Sequence, residues 1–224
     1  SDILLKSSHE LKLFDSPLLL SRNMGLSVEQ LFVKRLIDIV GSFIGIVVSL
    51  PFFIIIAICI KLTDRGPVFY TQTRLTKDGE PFKIYKFRTM VQNAEKDGIP
   101  RLAANGDPRI LPIGRLLRRT RLDELPQIYN IFKGEMSLVG PRPERPELVE
   151  EFTAEIPEFP CRMKVKAGLT GYAQVYGKYN TTPYDKLKLD LTYIRNYSVF
   201  LDLKLIFMTP KILFLKESTE GVQS

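Results

Sequence analysis

The sequence has few of the residues on which common catalytic and metal sites depend. It contains one histidine, His9, in a polar N-terminal stretch, which argues against histidine-based catalysis. Its two cysteines, Cys59 and Cys161, form no Cys-x-x-Cys motif, so neither a disulfide framework nor a zinc site is indicated. The sequence also has no Walker-type Gly-Lys-Ser loop, no internal repeat and no low-complexity tract.

Acidic residues are outnumbered by basic ones. In 224 residues, 32 Lys and Arg stand against 25 Asp and Glu, which gives a net charge of +7. Such an excess of positive charge is typical of proteins with an anionic partner, whether nucleic acid, a lipid surface or a phosphorylated substrate. The hydrophobic content of 45% is ordinary for a globular protein, and the length suits one domain with or without appendages.

One long stretch has no charged residue at all. Residues 39–60 read IVGSFIGIVVSLPFFIIIAICI, which is long enough to cross the hydrocarbon core of a bilayer, a distance of about 20 residues. The stretch is too long for a signal peptide and is followed by no small-residue cleavage site. Because Pro51 cannot donate a hydrogen bond to Val47, and Ser49 can satisfy a freed backbone group, we predict that the helix kinks or breaks there.

Cations mark both ends of this stretch. They are Lys34 and Arg35 on one side and Lys61 and Arg65 on the other. The positive-inside tendency then favours both ends on the cytoplasmic side of the membrane. We therefore expect residues 31–62 to form a re-entrant helical hairpin broken at Ser49 and Pro51, and a kinked membrane span is the alternative.

Two adjacent carboxylates, Asp123 and Glu124, are named here the acidic dyad. The sequence predicts a helix over residues 123–132, with Asp123 as its N-cap and Pro126 in its first turn. Many of the residues upstream are arginines, namely Arg101, Arg109, Arg115, Arg118, Arg119 and Arg121. An acid at a helix start among arginines is a place where phosphate can bind and be attacked. A plain helix cap with a favourable dipole contact is the alternative.

A second candidate for phosphate binding lies in residues 134–146, GEMSLVGPRPERP. The flanking prolines hold Arg142 in a nearly fixed extended geometry. A rigidly held arginine suits bidentate recognition of phosphate. The same pattern also occurs in ordinary turn connectors.

The rest of the chain predicts an α+β fold that is mainly helical. Strands over 68–71 and 81–87, joined by a turn at 76–79, form a β-hairpin with one apolar face and one face that carries cations. Helical patterns cover 109–119, 146–155 and 183–197, and the polar residues 92–108 read as a loop.

Two further segments leave alternatives open. Residues 168–180, rich in Gly and Tyr, either approach a ligand with their backbone or form a hairpin with aromatic packing. The apolar run 199–215, which Pro210 is expected to break, suits either an amphipathic helix at a membrane interface or a buried core helix. Residues 1–30 are expected to be an arm or a short helix.

Six stretches together are more specific than any one of them. They are KRLIDI at 34–39, the break at 49–51, FKIYKFRTM at 82–90, LRRTRLDELPQIYNIFKGEMSLVGPRP at 117–143, GLTGYAQVYG at 168–177 and LDLTYIRNYSVFLDLKLI at 189–206. In these stretches the chain resembles the bacterial sugar transferase family, the monotopic phosphoglycosyl transferases that begin glycan assembly on polyprenol phosphate. The resemblance covers residues 30–214. With no initiator Met and an unmatched arm at 1–30, the chain is expected to be the C-terminal catalytic part of a longer member.

The resemblance implies a two-step transfer of a sugar 1-phosphate from a nucleotide sugar, expected to be a UDP-sugar, to undecaprenyl or another polyprenyl phosphate. Asp123 would form a covalent aspartyl phosphosugar intermediate with release of UMP. Mg²⁺ is the implied cofactor, with Glu124 as its ligand. The cations expected to neutralise the diphosphate are Arg118 and Arg142 and, as weaker candidates, Lys83, Lys86 and Arg88.

The resemblance gives weaker expectations for contacts to the nucleotide or the sugar. These fall on Gln174, Asp190 and Lys166. Many family members have Arg-Pro where this chain has Lys166-Ala167, and a lysine keeps the charge but loses the bidentate fork of an arginine. No residue identifies the sugar.

The implied location is the bacterial inner membrane, with residues 63–224 as a catalytic domain on the cytoplasmic face. The reaction would be the first membrane step in the synthesis of exopolysaccharide, capsule, lipopolysaccharide O-antigen or glycoprotein glycan. The bilayer is then a partner, and the apolar C-terminal helix could serve a homodimer. Nucleic acid is not an expected partner, because it would explain the net charge but neither the apolar stretch nor the dyad. A non-catalytic membrane-anchored scaffold that binds anionic lipid is the alternative function.

Overall fold

The computed structural model describes residues 8–11, 18–21, 27–92, 94, 107–177 and 181–213. Over these residues the protein is mainly helical, as predicted, and its strands pair two by two. The helices are α1 (Val28–Asp64), α2 (Pro112–Arg119), α3 (Gln127–Lys133), α4 (Pro146–Glu155), α5 (Tyr172–Tyr176), α6 (Pro183–Arg195) and α7 (Val199–Leu213). The strands are β1 (Ser8–Leu11), β2 (Leu18–Ser21), β3 (Phe69–Leu75), β4 (Pro81–Phe87), β5 (Ser137–Val139) and β6 (Gly168–Thr170).

Helix α1 contains the charge-free stretch. It starts in a capping box, in which Ser27 Oγ accepts a hydrogen bond from Gln30 N and Gln30 Oε1 accepts one from Ser27 N. The backbone stays helical through Pro51, so a break at Ser49 and Pro51 is not observed, and a kink there stays a prediction. Pro51 removes only one N–H from the hydrogen-bond ladder, and the neighbouring bonds keep the helix intact. Among the described helices, α1 is the one that is long and apolar enough to cross a membrane, judged by length and composition.

The two faces of α1 differ in an unusual way. Its buried residues recur at intervals of four or seven, so they form one stripe that faces the rest of the protein: Lys34, Asp38, Ser42, Ser49, Ile56 and Ile60. The opposite face is exposed and apolar along the charge-free stretch, for example at Phe43, Val47, Ile54 and Ile58. The helix therefore turns several polar side chains toward the protein, whereas its outer face is apolar between the charged residues at its two ends.

The predicted β-hairpin is confirmed. Strands β3 and β4 pair antiparallel from Phe69 opposite Phe87 to Leu75 opposite Pro81. Phe82 and Ile84 pack on the apolar residues that surround α3. Lys86 shares their alternation along the strand, so it lies on this face and not on the face of Lys83. The expected division into one apolar and one cationic face is thus wrong at Lys86.

Three other predicted helices are found within their expected ranges, as α2, α4 and α6. Helix α3 begins at Gln127, four residues later than predicted. Residues 168–177 do not form a hairpin, and their approach to a ligand stays a prediction. They form β6, which pairs in parallel with β5, and then the short helix α5.

Helix α7 continues through Pro210 to Leu213, so the predicted break at Pro210 is not observed. The helix has one buried face and one exposed apolar face, and its place at a membrane interface stays a prediction. Asp202 and Leu205 are buried, whereas Phe200 and Phe207 are exposed. In the N-terminal arm, residues 8–11 and 18–21 form the antiparallel pair β1 and β2, and residues 28–30 already belong to α1. Most of the loop expected at 92–108, with Arg101, lies outside the described residues.

Candidate active site

A strained turn presents the acidic dyad. Helix α2 ends at Arg119, and Arg121 then adopts a left-handed conformation with φ of 56° before a single 3₁₀ turn carries Leu122–Glu124. Such conformations are uncommon for residues other than glycine and cluster at functional sites. The predicted N-cap role of Asp123 is wrong, because Pro126 occupies the cap position of α3. The dyad instead projects from the connection between α2 and α3.

Two cations hold Glu124. Its Oε1 accepts from Lys86 Nζ at 2.8 Å and from Arg142 Nη2 at 2.5 Å, and its Oε2 lies 3.3 Å from Arg142 Nη1. Burial alone would raise the pKa of Glu124, but the charges of Arg142 and Lys86 hold that pKa well below its usual range. Glu124 therefore stays ionised. The two cations that bind it, Lys86 and Arg142, are distant from it in the sequence.

Asp123 has the opposite environment. Its Oδ1 is buried, and no described residue donates a hydrogen bond to it. Burial, and next the charge of Glu124, raise the pKa of Asp123 to about 6, although Lys86 and Arg118 oppose the shift. Two adjacent carboxylates with pKa values pushed apart are a frequent sign of different chemical roles. Asp123 is the one with an uncommitted oxygen.

Thr89 orients one of the nearby arginines. Arg118 Nε donates to Thr89 Oγ1 at 2.8 Å. Helix α2 lies directly against Thr89, because a Cβ on Gly114 would collide with the Thr89 carbonyl. Arg118 thus keeps its two terminal nitrogens for other partners and contributes positive charge at Asp123.

The segment that carries Arg142 is anchored from behind. Arg162 Nη2 donates to the Arg142 carbonyl at 3.1 Å, and Arg162 is itself held by Asp190 through contacts of 2.7 and 2.8 Å. Arg74 Nη1 donates to the neighbouring Pro143 carbonyl at 3.2 Å. The Arg142 side chain keeps 37% of its surface exposed, so it can hold Glu124 and still meet an incoming anion.

Glycine is required where the two strands beside this segment meet. A Cβ on Gly168 would collide with the backbone nitrogen of Gly140, and a Cβ on Gly140 would collide with the Lys166 carbonyl. The close approach of β5 and β6 fixes the start of the Pro141–Pro143 segment and hence the position of Arg142.

The structure does not bring the remaining candidate residues to the dyad. Arg88 is buried, pairs with Asp64 and donates to the Pro67 carbonyl at 2.7 Å. Lys83 and Lys166 line a different surface basin beside the hairpin. Asp190 supports Arg142 through Arg162, as described above. The side-chain oxygen and nitrogen of Gln174 are both buried and have no hydrogen-bond partner among the described residues.

Sequence reasoning missed three residues that position the site, Thr89, Arg162 and Arg74. Each donates a hydrogen bond to, or accepts one from, a residue at least twenty positions away in the chain, so no local sequence pattern indicates it. The one signal was indirect. A dense set of arginines needs acceptors if any of them is buried, and Asp190 is an acid on the buried face of α6.

The site offers two carboxylates to a divalent cation, which is fewer ligands than a complete metal site needs. Among the described residues no group of three His, Cys, Asp or Glu side chains could hold a metal ion. The dyad offers two carboxylates, with Asp123 Oδ1 unpartnered and Glu124 Oε2 in only one long contact. Mg²⁺ is commonly bound by one or two carboxylates completed by substrate phosphates, and the dyad fits that kind of site.

The fold and the site together define a class of protein. It combines an uncommitted carboxylate, a second carboxylate held by Lys86 and Arg142, and a long helix with an exposed apolar face. The chain belongs to the bacterial sugar transferase family, whose family model it matches over residues 29–216.

Curated relatives support this assignment. The chain is 42% identical over 181 residues to a UDP-N-acetylgalactosamine-undecaprenyl-phosphate N-acetylgalactosaminephosphotransferase of Aeromonas hydrophila, covering 80% of the chain and 43% of that protein. It is 40% identical over 202 residues to a UDP-glucose:undecaprenyl-phosphate glucose-1-phosphate transferase of Klebsiella pneumoniae, covering 88% of the chain and 42% of that protein. It is 38% identical over 191 residues to the exopolysaccharide production protein PSS of Rhizobium leguminosarum bv. phaseoli, covering 80% of the chain and 94% of that protein. The chain thus spans less than half the length of the first two.

Proposed function

We propose that this chain transfers a sugar 1-phosphate from a UDP-sugar to a polyprenyl phosphate, such as undecaprenyl phosphate, and releases UMP. The names of the relatives support the two substrates. One observation on this chain carries the proposal: Asp123 has an uncommitted carboxylate oxygen beside a carboxylate that is held by Lys86 and Arg142. A scaffold that only binds anionic lipid would not need this arrangement. The exopolysaccharide protein among the relatives supports a role in surface glycan synthesis.

The proposed reaction has two displacements at one phosphorus atom. In the first, an Asp123 oxygen attacks the phosphorus that bears the sugar, and the bond from that phosphorus to the UMP oxygen breaks. In the second, a phosphate oxygen of the polyprenyl phosphate attacks the same phosphorus, and its bond to Asp123 breaks. The carboxylate is regenerated, and the product is a polyprenyl diphosphate sugar.

The surrounding cations would stabilise charge during both displacements. Arg142 has an exposed part of its guanidinium beside Glu124, and the charge of Arg118 also acts on Asp123. A divalent cation such as Mg²⁺ would be held by Glu124 Oε2 and substrate phosphates, and it would neutralise the diphosphate.

An exchange assay tests the proposal without the acceptor. Purified protein in detergent is incubated with radiolabelled UMP and each member of a panel of UDP-sugars. We expect label to enter one UDP-sugar, because formation of the covalent intermediate is reversible, and we expect EDTA to abolish the exchange. If no UDP-sugar exchanges, while product forms once undecaprenyl phosphate is added, the covalent intermediate is contradicted. No product with any sugar contradicts the function.

The exchange rate should depend on pH through Asp123. Because the raised pKa is about 6, the carboxyl is protonated below pH 6 and cannot attack. We expect kcat/KM for the UDP-sugar to rise from pH 5 to a plateau above pH 7, with the value at pH 5 about one tenth of the plateau. Because the phosphates of the acceptor and of UMP also titrate near pH 6, the profile is checked on UMP release in a single turnover without acceptor, where neither phosphate attacks. A flat profile between pH 5 and 8 would argue against Asp123 as the nucleophile.

The contacts of α1 support the proposal that both of its ends lie on one side of the membrane. Its buried stripe continues on both sides of Pro51, from Lys34, which reaches α7, to Ile60, which packs with Phe87. A helix of 37 residues would be about 55 Å long if it were straight, and one that crossed a bilayer would leave the domain at mid-length. We propose that α1 instead kinks near Ser49 and Pro51 and is re-entrant on the cytoplasmic face of the inner membrane. A homodimer stays an expectation.

Cysteine labelling distinguishes this re-entrant helix from a membrane span. Glu29→Cys and Thr63→Cys, each in a background with Cys59→Ala and Cys161→Ala, place one thiol at either end of α1. A membrane-impermeant maleimide should label neither thiol in intact bacterial spheroplasts and both after permeabilisation. Labelling of one end only in intact spheroplasts would show that α1 spans the membrane.

A further inference from the structure

An apolar groove of about 330 Å³ lies between α1, the β-hairpin and α3. Its walls include Ile46, Leu50 and Phe53 from α1, Phe69 from β3, and Ile128 and Tyr129 from α3. The volume falls in the range of about 300–1000 Å³ that is usual for ligand pockets. The groove is therefore large enough to hold part of an apolar molecule.

Two sets of contacts define the ends of the groove. At one end α1 and α3 approach closely, since a Cβ on Gly45 would lie 3.3 Å from Ile128 Cδ1. At the other end the ring of Phe53 meets the ring of Phe87 at 4.9 Å between centroids. The walls between these two ends come from α1, the β-hairpin and α3, so the groove is built by the packing of the domain and is not a gap at a loose end.

The groove opens to the exposed apolar face of α1. Leu50 is 56% exposed on that face, and Phe69 and Tyr129, also exposed, stand on the opposite rim. A chain that is already dissolved in a membrane could enter sideways from that face without passing through water. Moving an apolar chain from the bilayer into an apolar groove changes its hydrophobic free energy little. Binding in the groove therefore depends on the fit of the chain and on the contacts made by its polar head group.

The walls of the groove are continuous with the proposed catalytic site. Pro126, which lines the groove, follows Asp123 by three residues in consecutive helical turns, a spacing that brings side chains to the same side. Tyr85, another wall residue, directly precedes Lys86, whose ammonium group holds Glu124. An apolar groove next to a cationic phosphate site is complementary to an amphiphile with a long apolar tail and a phosphate head.

We propose that this groove holds the first isoprenoid units of the polyprenyl phosphate acceptor while its phosphate lies at the acidic dyad. This inference rests on the proposed function, which supplies an acceptor of that chemistry. The groove then selects the acceptor and aligns its phosphate, and it takes no part in binding the UDP-sugar.

A matched pair of tryptophan variants tests this role. Leu50→Trp places an indole in the groove, whereas Val48→Trp makes the same change two residues away, on an exposed position of α1 that does not line the groove. We expect Leu50→Trp to raise KM for undecaprenyl phosphate roughly tenfold, with KM for the UDP-sugar unchanged. Val48→Trp should leave both constants as in the parent.

The outcomes separate the groove from the proposed function. Transfer that is normal, with the same acceptor KM in both tryptophan variants, would overturn the groove assignment alone. No transfer by the parent protein would overturn the proposed function and this inference with it. Loss of UDP-sugar use in Leu50→Trp would show a general disturbance of the site and would also contradict the assignment.

Photolabelling identifies the occupant directly. A polyprenyl phosphate with a diazirine in its second isoprene unit is irradiated with the protein in detergent, and labelled peptides are found by mass spectrometry. We expect label on α1 near Leu50 and on α3 near Tyr129, reduced by excess undecaprenyl phosphate but not by phosphatidylglycerol. Equal competition by phosphatidylglycerol would mean that the groove takes lipid acyl chains in general, and would overturn the proposal.

Discussion

Asp123→Asn is expected to reduce sugar phosphate transfer by about 10⁴-fold or more, as loss of a nucleophile does in other enzymes. An amide has the shape of the carboxylate but cannot form the acyl phosphate bond, so exchange of label from UMP into the UDP-sugar should disappear as well. The fold should survive, because no described residue donates a hydrogen bond to Asp123 Oδ1 and the change removes a negative charge beside Glu124. Activity, exchange and Tm are measured together.

Asp78→Asn is the matched control for this experiment. Asp78 lies at the exposed hairpin turn with φ of 57°, a conformation that asparagine also tolerates. The control should keep parental activity and Tm. If Asp123→Asn retained more than about a hundredth of the parental rate while folded, another group would have to be the nucleophile. If it lost activity only because Tm fell, the experiment would instead assign Asp123 a structural role.

Lys34→Met is expected to give the largest loss of stability. Lys34 Nζ is buried and donates to Asp202 Oδ2 at 2.6 Å and to the Val139 carbonyl at 2.9 Å, which ties α1 to α7 and β5. Without its ammonium group the Asp202 carboxylate stays buried and unpaired. Breaking one side of such a pair typically costs roughly 3–5 kcal/mol, and the corresponding fall in Tm is on the order of 10 °C for a chain of this size.

A double variant and an exposed control complete this test. Lys61→Met makes the same change at an exposed position of the same helix and should move Tm little. Lys34→Met combined with Asp202→Asn should recover most of the loss. The amide that replaces the carboxylate is neutral, and its oxygen can still accept the hydrogen bond that Tyr193 OH donates to Asp202 at 2.7 Å. A fall in Tm for Lys34→Met no larger than that for Lys61→Met would contradict the pairing.

Local patterns predicted the local structure well. The alternation in 81–87 and the turn before it indicated the hairpin, and the proline at position 146 marks the start of α4. Errors came where one residue was judged by its usual role. Pro210 was expected to break its helix, but it removes a single hydrogen bond within a helix that packs against the domain. The helix that contains Pro51 is likewise unbroken, and the kink predicted there is untested. Tertiary contacts outweighed the local cost.

The candidate site shows the same limit. The acidic dyad and Arg142 could be picked out from the sequence, because adjacent acids and a proline-flanked arginine are visible as patterns. That Arg142 points at Glu124, and that Lys86 and not Lys83 joins it, depends on how β4 packs against the turn after α2. Likewise Asp190 was expected to contact the nucleotide or the sugar. In the structure it binds Arg162, which in turn donates to the Arg142 carbonyl. Contacts between residues so far apart in the chain cannot be read from spacing.

The stripe of Lys34, Asp38, Ser42 and Ser49 on α1 makes the helix an inseparable part of the domain. A generic membrane anchor can be exchanged for another, because its lipid-facing and protein-facing sides are alike. Here the protein-facing side supplies hydrogen bonds that Asp202, Ser137 and Leu138 of the domain require. Trimming α1 to obtain a water-soluble fragment would expose these groups and the apolar surface beneath them. Helix α1 and the rest of the described domain must therefore fold as one unit.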